Sequence, residues 1–196
     1  MIVRKGASFV LTLRPATSEQ RYVPISSITM GEAGTRLVAT GHGLKAGWHF
    51  RVSRCEGLTR LNTVDEISPQ PSDWFQATVI DVDTVDINSV NTTGDAPYDG
   101  GGVLQYGIPM DLTGCSVRAQ IRKTERSAEI LLDLAAYIDI DAVDCKVNFD
   151  VPGSETTLLP GSSGVLGIEI DDSALPPRTF TLPPLGLEFK AEIVHE

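Results

Sequence analysis

Three aspartates close together in the chain, Asp81, Asp83 and Asp86, have the side chains and spacing of a candidate calcium site. Alternate residues of a β-strand point the same way, so Asp81 and Asp83 would offer their carboxylates to one side. A calcium loop, however, combines glycine turns with a bidentate glutamate among its carboxylates. We therefore interpret these aspartates as a solvated face. The same interpretation applies to the other acidic groups, namely Asp139, Asp141 and Asp144, and the pair Asp171 and Asp172.

A histidine between two glycines, Gly41-His42-Gly43, is the second candidate. A metal site needs further ligands at suitable spacing, and no cysteine or carboxylate pattern surrounds the other histidines, His49 and His195. Glycine adopts unusual φ values at little cost, as a tight turn requires. We predict a structural turn here, and a surface contact of His42 with a sugar or a neighbouring subunit remains the alternative.

The remaining motifs do not indicate an enzyme. Glycoside hydrolysis needs two acids facing each other across a cleft, and the sequence favours no particular pair. There is no Gly-x-Ser-x-Gly nucleophile motif and no phosphate-binding loop. Cys55, Cys115 and Cys145 are widely spaced and odd in number, which is typical of neither a disulfide framework nor a metal site. We therefore expect a chain that is not an enzyme, has no cofactor and no metal, and is synthesised in a reducing cytoplasm.

Aromatic residues provide the candidate interaction sites. Trp74 and Phe75 follow the loop signal "SPQPSD", and Tyr98 lies in a glycine-rich stretch. Exposed aromatic side chains on loops favour contacts with protein or glycan. Trp48, by contrast, is predicted to lie in the core.

A local basic strip is the other candidate interaction surface. The segment "RAQIRK" is expected to display Arg118, Arg122 and Lys123 on the outer face of a strand. In an acidic protein such a strip could meet an acidic neighbour. A solvated face is the equally open alternative.

The composition limits the classes of partner. The chain has 196 residues, 41% of them apolar, and a formal net charge of −10. An acidic chain is repelled by phosphate, so we expect neither nucleic acid nor an anionic membrane as partner. No apolar run reaches the length of a membrane span, and the start "MIVRKGASFVLTLRPATSEQ" lacks the features of a signal peptide.

Apolar and polar residues alternate along most of the chain, and the strands that this pattern predicts must position the candidate residues. The apolar positions predicted to face a core are Phe9, Leu11, Leu13, Ile80, Val82, Val85, Ile87, Val117, Ala119, Ile121, Val147, Phe149, Val151, Val165, Ile168, Ile170, Leu187, Phe189, Ala191 and Ile193. Many short strands separated by glycine and proline turns predict an all-β protein of sandwich or barrel type.

Two segments interrupt this pattern. Residues 127–138 have apolar side chains at helical spacing but lie among strands, and we favour a strand. A single helical turn is predicted at 154–161, with Ser154 as its N-cap and Pro160-Gly161 ending it.

Five ordered segments carry a first resemblance: "VRKGASFVLTL", "IPMDLTGCSVRAQIRK", "ILLDL", "SETTLLPG" and "GLEFKAEIV". They resemble a small phage β-sandwich found at the N-terminus of siphophage upper baseplate proteins. The resemblance places a structural turn at Asp111-Leu112-Thr113-Gly114, a strand at Gln120-Ile121-Arg122, a second turn after Glu155-Thr156, and a last strand after Gly186. The chain departs from the family at Pro152-Gly153 and in the proline-rich "LPPRTFTLPPLG".

Four further segments carry a second resemblance: "VATGHGLKAGWHFRV", "GLTRLN", "ATVIDVDTVDIN" and "NTTGDAPYDGGG". They resemble an FCCH-like β-barrel module of phage tail proteins, a name taken from a domain of ubiquitin-activating enzymes. The catalytic cysteine motif of those enzymes is not visible. The segment "EISPQPSDWFQ", residues 66–76, is an inserted loop relative to that module.

Together the resemblances imply a β-sandwich of residues 1–22 and 107–196 into which a β-barrel of residues 23–106 is inserted after the first strand. They imply a structural protein of a tailed-phage virion, in the tail, baseplate or tail-fibre attachment region. It would be assembled in the bacterial cytoplasm, be homo-oligomeric and dock on other virion proteins through the sandwich. The alternatives are a head decoration or head-fibre protein, a module binding host surface glycan and, last, a glycan-cleaving enzyme.

Overall fold

The computed structural model describes residues 1–174 and 178–191, and within them the chain is all-β, as the alternation predicts. In chain order the strands are β1 (Ile2–Lys5), β2 (Phe9–Leu13), β3 (Ala16–Pro24), β4 (Ser27–Thr29), β5 (Thr35–Val38), β6 (His49–Glu56), β7 (Phe75–Gln76), β8 (Thr78–Val79), β9 (Thr84–Ile87), β10 (Gly100–Pro109), β11 (Ser116–Arg122), β12 (Ile130–Asp133), β13 (Ile138–Asp141), β14 (Lys146–Val151), β15 (Ser163–Asp171), β16 (Thr179–Thr181) and β17 (Leu185–Ala191). The helical elements are α1 (Gly153–Thr157) and the 3₁₀ turns Thr59–Leu61, Pro71–Asp73 and Ala135–Tyr137. No helix in the described residues is long and apolar enough to cross a membrane.

The chain divides into two compact units. Unit 1 comprises Met1–Pro15 and Asp111–Glu196, and unit 2 comprises Ala16–Met110. The sequence predicts the boundaries at 22/23 and 106/107 instead. The difference arises because β3 and β10 pair antiparallel from Pro24 and Val103 to Ala16 and Pro109, so both strands belong entirely to unit 2.

Unit 1 contains two sheets. One has six strands in the order β1-β17-β15-β11-β12, with β16 also pairing with β15. The other has three strands in the order β13-β14-β2. Strand β1 runs parallel to β17, and the remaining pairs are antiparallel.

The predicted inward positions of unit 1 are confirmed at most strands. Ala119 and Ile121 on β11 are buried, as are Val147, Phe149 and Val151 on β14. On β15 the prediction is wrong by one residue at its start, because Leu166 rather than Val165 shares the buried face with Ile168 and Ile170. On β17 Leu187 and Phe189 are buried as predicted, whereas the predicted inward side chains of Ala191 and Ile193 lie outside the part that the structure describes. His195, one of the histidines considered as a metal ligand, also lies outside it.

Residues 127–138 form no α-helix, and the predicted strand is confirmed for part of them. Strand β12 pairs with β11, and the Leu134 amide continues this contact by donating to the Ala119 carbonyl at 2.9 Å. Leu134 is completely buried. A 3₁₀ turn then leads into β13, so strand pairing outweighs the helical spacing of the apolar residues.

The predicted helical turn exists as α1, but its N-cap is Pro152 and not Ser154. The first helical residue, Gly153, lies so close to the turn after β1 that a β-carbon there would stand 2.2 Å from the Gly6 carbonyl oxygen, so this position requires glycine. Thr156 fixes this contact: its hydroxyl accepts from the Gly6 amide at 3.1 Å and donates to the Ala7 carbonyl at 2.8 Å. A buried threonine therefore joins α1 to the chain start.

Unit 2 contains two four-stranded sheets, β3-β10-β6-β7 and β4-β5-β9-β8. The chain passes from the first sheet to the second at Ile25, whose amide donates to the Gly102 carbonyl, while the next amide, Ser26, donates to Val38. Completely buried side chains come from both sheets: Leu37, Val85 and Ile87 from one, and Phe50, Val52 and Leu104 from the other. The two sheets of unit 2 thus both contribute to its apolar core.

Residues 77–90 are not the single strand that their alternation predicts. They form β8, a turn and β9, with the Ile80 amide donating to the Thr84 carbonyl at 3.0 Å. Val85 and Ile87 are buried as predicted, but Ile80 and Val82 are 48% and 70% exposed, so their core prediction is wrong. The turn interrupts the strand because the Asp81 carboxylate accepts from the Asp83 amide at 2.9 Å, a local bond that competes with strand pairing.

Candidate functional site

The turn at Gly41-His42-Gly43 is closed by bonds from the protein itself. Gly41 and Gly43 have φ angles of +61° and +67°, in the left-handed region that favours glycine. The Gly41 amide donates to the Asp83 carboxylate at 2.7 Å, and the Gly41 carbonyl accepts from Arg21 at 2.7 Å. The buried Tyr106 hydroxyl donates to the His42 carbonyl.

The His42 ring is 1% exposed and is fully engaged in this turn. Its Nδ1 accepts from the Leu44 amide at 3.0 Å, so the ring is neutral with its proton on Nε2, which donates to the Asp81 carbonyl at 3.1 Å. Neither ring nitrogen retains a lone pair for a metal, and the buried ring offers no surface to a sugar or a subunit. The alternative contact role of His42 is therefore wrong.

The three aspartates of the calcium hypothesis have separate structural roles. The Asp81 carboxylate closes its own turn by accepting from the Asp83 amide. This hydrogen bond is the main cause that lowers the pKa of the Asp81 carboxyl. Asp83 caps Gly41, and Asp86 forms a two-point ion pair with Arg36 at 2.7 and 2.8 Å. No cluster of potential metal ligands occurs among residues 1–174 and 178–191.

The remaining acidic groups are likewise bound to their neighbours. Asp141 and Asp144 both contact the Lys146 ammonium, at 3.1 and 3.0 Å. The hydrogen bond from the Asp144 amide is the main cause that lowers the pKa of Asp141, and the hydrogen bond from Lys146 is the second cause. Asp172 accepts from the backbone and side chain of Arg178, and the backbone bond is the main cause that lowers its pKa. These carboxylates shape turns and strand ends.

The turn at Asp111–Gly114 is built in the same way. The Asp111 carboxylate accepts from the Thr113 amide at 2.9 Å, which lowers the pKa of Asp111, and Gly114 has a φ of +71°. The thiol of Cys115 donates to the Asp111 carbonyl at 3.4 Å. Burial raises the pKa of the Cys115 thiol, and it raises that of Cys55 in unit 2 to about 11, so neither thiol is tuned for nucleophilic attack.

The predicted aromatic contacts differ in their availability. Phe75 is only 8% exposed, because it packs on Phe50 with ring centroids 6.1 Å apart, so it presents no surface to a partner. Trp74 is half-buried, with the Arg51 guanidinium 5.7 Å from its ring. The Tyr98 hydroxyl donates to the Gly101 carbonyl at 2.7 Å and secures the glycine-rich start of β10.

Two of the predicted basic residues, Arg118 and Arg122, border a groove of about 500 Å³ in unit 1, which Glu125 and Glu169 also line. Arg118 and Arg122 point outward from β11, with Arg118 paired to Glu169 and Asp171 at 3.1 and 3.2 Å. Lys123 does not belong to this strip, since β11 ends at Arg122 and the exposed Lys123 borders a different, smaller depression. The predicted strip is therefore two arginines on the strand, not three cations.

Exposed apolar residues that the sequence analysis did not single out lie on the loop of residues 62–73, called the 62–73 loop below. Val64 and Ile67 are 91% and 94% exposed. The inserted stretch at 66–76, whose apolar residues follow no strand alternation, could have located Ile67, whereas Val64 precedes it. Val64, Ile67 and the half-buried Trp74 are therefore the apolar candidates for contacts on unit 2.

No family model matches this chain, and the comparison with curated proteins finds no match.

Proposed function

We propose that this chain is a structural, non-enzymatic component of a tailed-bacteriophage virion, located in the tail, baseplate or tail-fibre attachment region. Unit 1 is its docking part, and unit 2 is an inserted module. The partners are other virion proteins and further copies of the chain, and no cofactor is required.

One observation supports this proposal: the segments of the first resemblance and those of the second lie in different units of the structure. The five segments that resemble the baseplate sandwich lie in unit 1, apart from residues 108–110. All four segments that resemble the tail-protein barrel module lie in unit 2. Insertion of one module into another is tolerated where the two ends lie together, and Ala16 pairs with Pro109 at the ends of the insert.

The chemistry of the acidic residues agrees with a structural role. The aspartates that came nearest to a catalytic or metal-binding pattern each accept hydrogen bonds within a turn or join an ion pair. The chain thus uses its carboxylates to define loops. Loops held in fixed shape by a β scaffold are a common basis for protein interfaces.

The test is the composition of phage particles made by the bacterium that carries the coding gene. An antibody against the purified chain is used for immunoblots of gradient-purified particles and for immunogold labelling, with particles lacking the gene as control. We expect the chain in washed particles and gold label on the tail. Label on the head would replace the tail position with head decoration. Presence in the lysate but absence from particles would contradict the proposal.

A further inference from the structure

The carboxylate of Asp99 is unbound, unlike those of the turn aspartates described above. Asp99 lies immediately before β10 and is exposed to solvent. Within residues 1–174 and 178–191 no hydrogen bond or ion pair reaches its side chain, whereas the turn aspartates accept hydrogen bonds or join ion pairs. The Asp99 carboxyl group is therefore free to rotate and to react with the adjacent backbone.

The residue that follows Asp99 makes this position chemically distinct. Asp99-Gly100 is the only Asp-Gly step in the sequence, which contains no Asn-Gly step. Glycine has no β-carbon, so no side chain of its own shields its amide nitrogen from the preceding carboxyl group. A β-carbon built on Gly100 would meet no atom within 4 Å, so the space around this residue is open as well.

The step Asp172-Ser173 provides a contrast within the same chain. The Asp172 carboxylate accepts from the Ala174 amide at 3.1 Å, and from the amide and guanidinium of Arg178 at 2.8 and 2.7 Å. These bonds hold the carboxylate on other donors, and the next residue carries a side chain. Both features oppose a reaction between the Asp172 carboxyl group and the following amide.

We propose that Asp99-Gly100 is a site of spontaneous backbone modification, at which Asp99 closes a cyclic imide and reopens as isoaspartate. The Gly100 amide nitrogen bonds to the side-chain carboxyl carbon of Asp99, and the hydroxyl of that carboxyl group leaves with the amide proton as water. The ring closes while the start of β10 is locally open, since strand ends open more readily than strand centres.

Water then adds to one of the two imide carbonyl carbons and breaks its bond to nitrogen. Addition at the side-chain carbon restores aspartate, whereas addition at the main-chain carbon gives isoaspartate. The net reaction is an isomerisation, so it needs no oxidant, reductant or cofactor. The proposal concerns the chain alone and does not rest on its presence in a virion.

The product alters the main chain at a closely packed point of unit 2. The Asp99 amide donates to the Glu56 carbonyl at 3.0 Å, and the Tyr98 hydroxyl donates to the Gly101 carbonyl at 2.7 Å. A β-carbon at Gly57 would stand 2.9 Å from the Asp99 amide nitrogen, so the two backbones are in direct contact. Isoaspartate adds one carbon atom to the main chain between these contacts. The modification therefore weakens the pairing of β10 with β6.

The experiment ages the full chain for several weeks at neutral pH and body temperature in water labelled with heavy oxygen. Digestion in ordinary water and mass spectrometry with electron-transfer fragmentation then locate the label and the isoaspartate. Each passage through the imide adds one heavy oxygen atom, so we expect a gain of two mass units at Asp99. Asp99→Glu is the matched control, because it keeps the carboxylate but would need a larger ring, and it should gain neither label nor isoaspartate. Asp172 is the internal control and should stay unlabelled.

Asp99→Asn gives a second, independent test of ring closure. Its side-chain amide closes the same ring by losing ammonia, so this variant should gain one mass unit in ordinary water and yield the same isoaspartate. Far-ultraviolet circular dichroism checks that both variants are folded. No label at Asp99, equal label at Asp172, or an Asp99→Asn variant that keeps its mass would each overturn the proposal.

Urea unfolding tests the structural consequence. The aged wild type should unfold at a lower urea midpoint than the fresh protein, while aged Asp99→Glu should keep its midpoint. An aged wild type that contains isoaspartate and keeps its midpoint would overturn the weakening of the β6 and β10 pairing. None of these results bears on whether phage particles contain the chain.

Discussion

At the scale of single residues, Gly41 and Gly43 share one requirement for glycine, and Gly43 has a second. Both have positive φ angles, but a β-carbon at Gly41 would meet no atom within 4 Å. At Gly43 it would stand 3.0 Å from the Arg21 guanidinium and 3.3 Å from the Tyr106 hydroxyl, the groups that bond the turn. The second glycine therefore provides space as well as conformation.

Alanine substitutions separate these two requirements. Gly41→Ala incurs only the left-handed backbone conformation and should lower the free energy of unfolding by about 1 kcal/mol. Gly43→Ala must also displace Arg21 or Tyr106 and should cost about 2–3 kcal/mol. Urea unfolding of the two variants beside the wild type measures both values. Equal losses would mean that the crowding at Gly43 has no energetic weight.

At the scale of elements, local side-chain bonds explain where the sequence pattern misleads. Residues 77–90 alternate throughout, yet the bond from the Asp83 amide to Asp81 places a turn where Ile80 and Val82 were expected inside. Conversely, β11 and β14 follow their alternation because neighbours pair with them on both sides. Alternation of apolar and polar residues predicts a strand and its two faces. It does not reveal a turn when the alternation continues through the turn residues.

The site was less predictable than the fold, for a related reason. Phe75 was expected on an exposed loop, but its packing on Phe50 is a contact between residues distant in the chain. The outward direction of Val64 and Ile67 depends on Arg51 and Val52 fixing the loop, which no spacing within the loop reveals. The turn at His42, in contrast, was predictable because flanking glycines are a local signal.

The 62–73 loop offers a test with two arginines that both contact Glu66. Arg51 is 8% exposed and bonds to Gln105 at 2.9 Å as well as to the Glu66 carbonyl. Arg54 forms an exposed ion pair with the Glu66 carboxylate, which lowers the pKa of Glu66. Arg51→Met leaves buried polar groups unpaired and should cost about 2–3 kcal/mol, whereas Arg54→Met removes only an exposed ion pair and should change the free energy of unfolding much less.

Limited proteolysis with peptide mapping measures the local effect. Cleavage within residues 62–73 should be much faster in Arg51→Met than in the wild type, because the loop loses its attachment to the sheet. The Arg54→Met control should be cleaved at nearly the wild-type rate. Equal cleavage of the two variants would show that Arg51 does not hold the loop.

At the scale of the whole molecule, the many turn aspartates determine the response to acid. The pKa values of Asp81, Asp111, Asp141 and Asp172 all lie below the ordinary value, mainly because backbone amides donate to the carboxylates. A carboxyl group with a lowered folded-state pKa contributes stability that is fully present above its unfolded-state pKa, near 4, and is lost as the pH falls through the folded-state value. Both units contain such groups.

We therefore expect the free energy of unfolding to fall as the pH decreases from about 4 towards 2. Asp141→Asn should show a shallower decline, since it cannot titrate and loses the attraction to Lys146. Urea unfolding at a series of pH values gives both slopes. A stability that is constant between pH 4 and 2 would contradict the structural role of these carboxylates.

The division into two units leads to a prediction about folding. Unit 2 occupies one continuous stretch, residues 16–110, and its first and last strands, β3 and β10, pair along their lengths and bring its ends together. Its apolar core draws on strands of both its sheets, all within this stretch. At about 95 residues it has the size of a small independent domain.

We expect the isolated fragment of residues 16–110 to fold cooperatively, with β-sheet circular dichroism and a single urea transition. The control is the same fragment shortened to residues 23–106, the boundaries predicted from sequence, which loses most of β3 and should be unfolded or much less stable. Equal stability of the two fragments would place the unit boundary inside β3, and an unfolded longer fragment would mean that unit 2 requires unit 1 to fold.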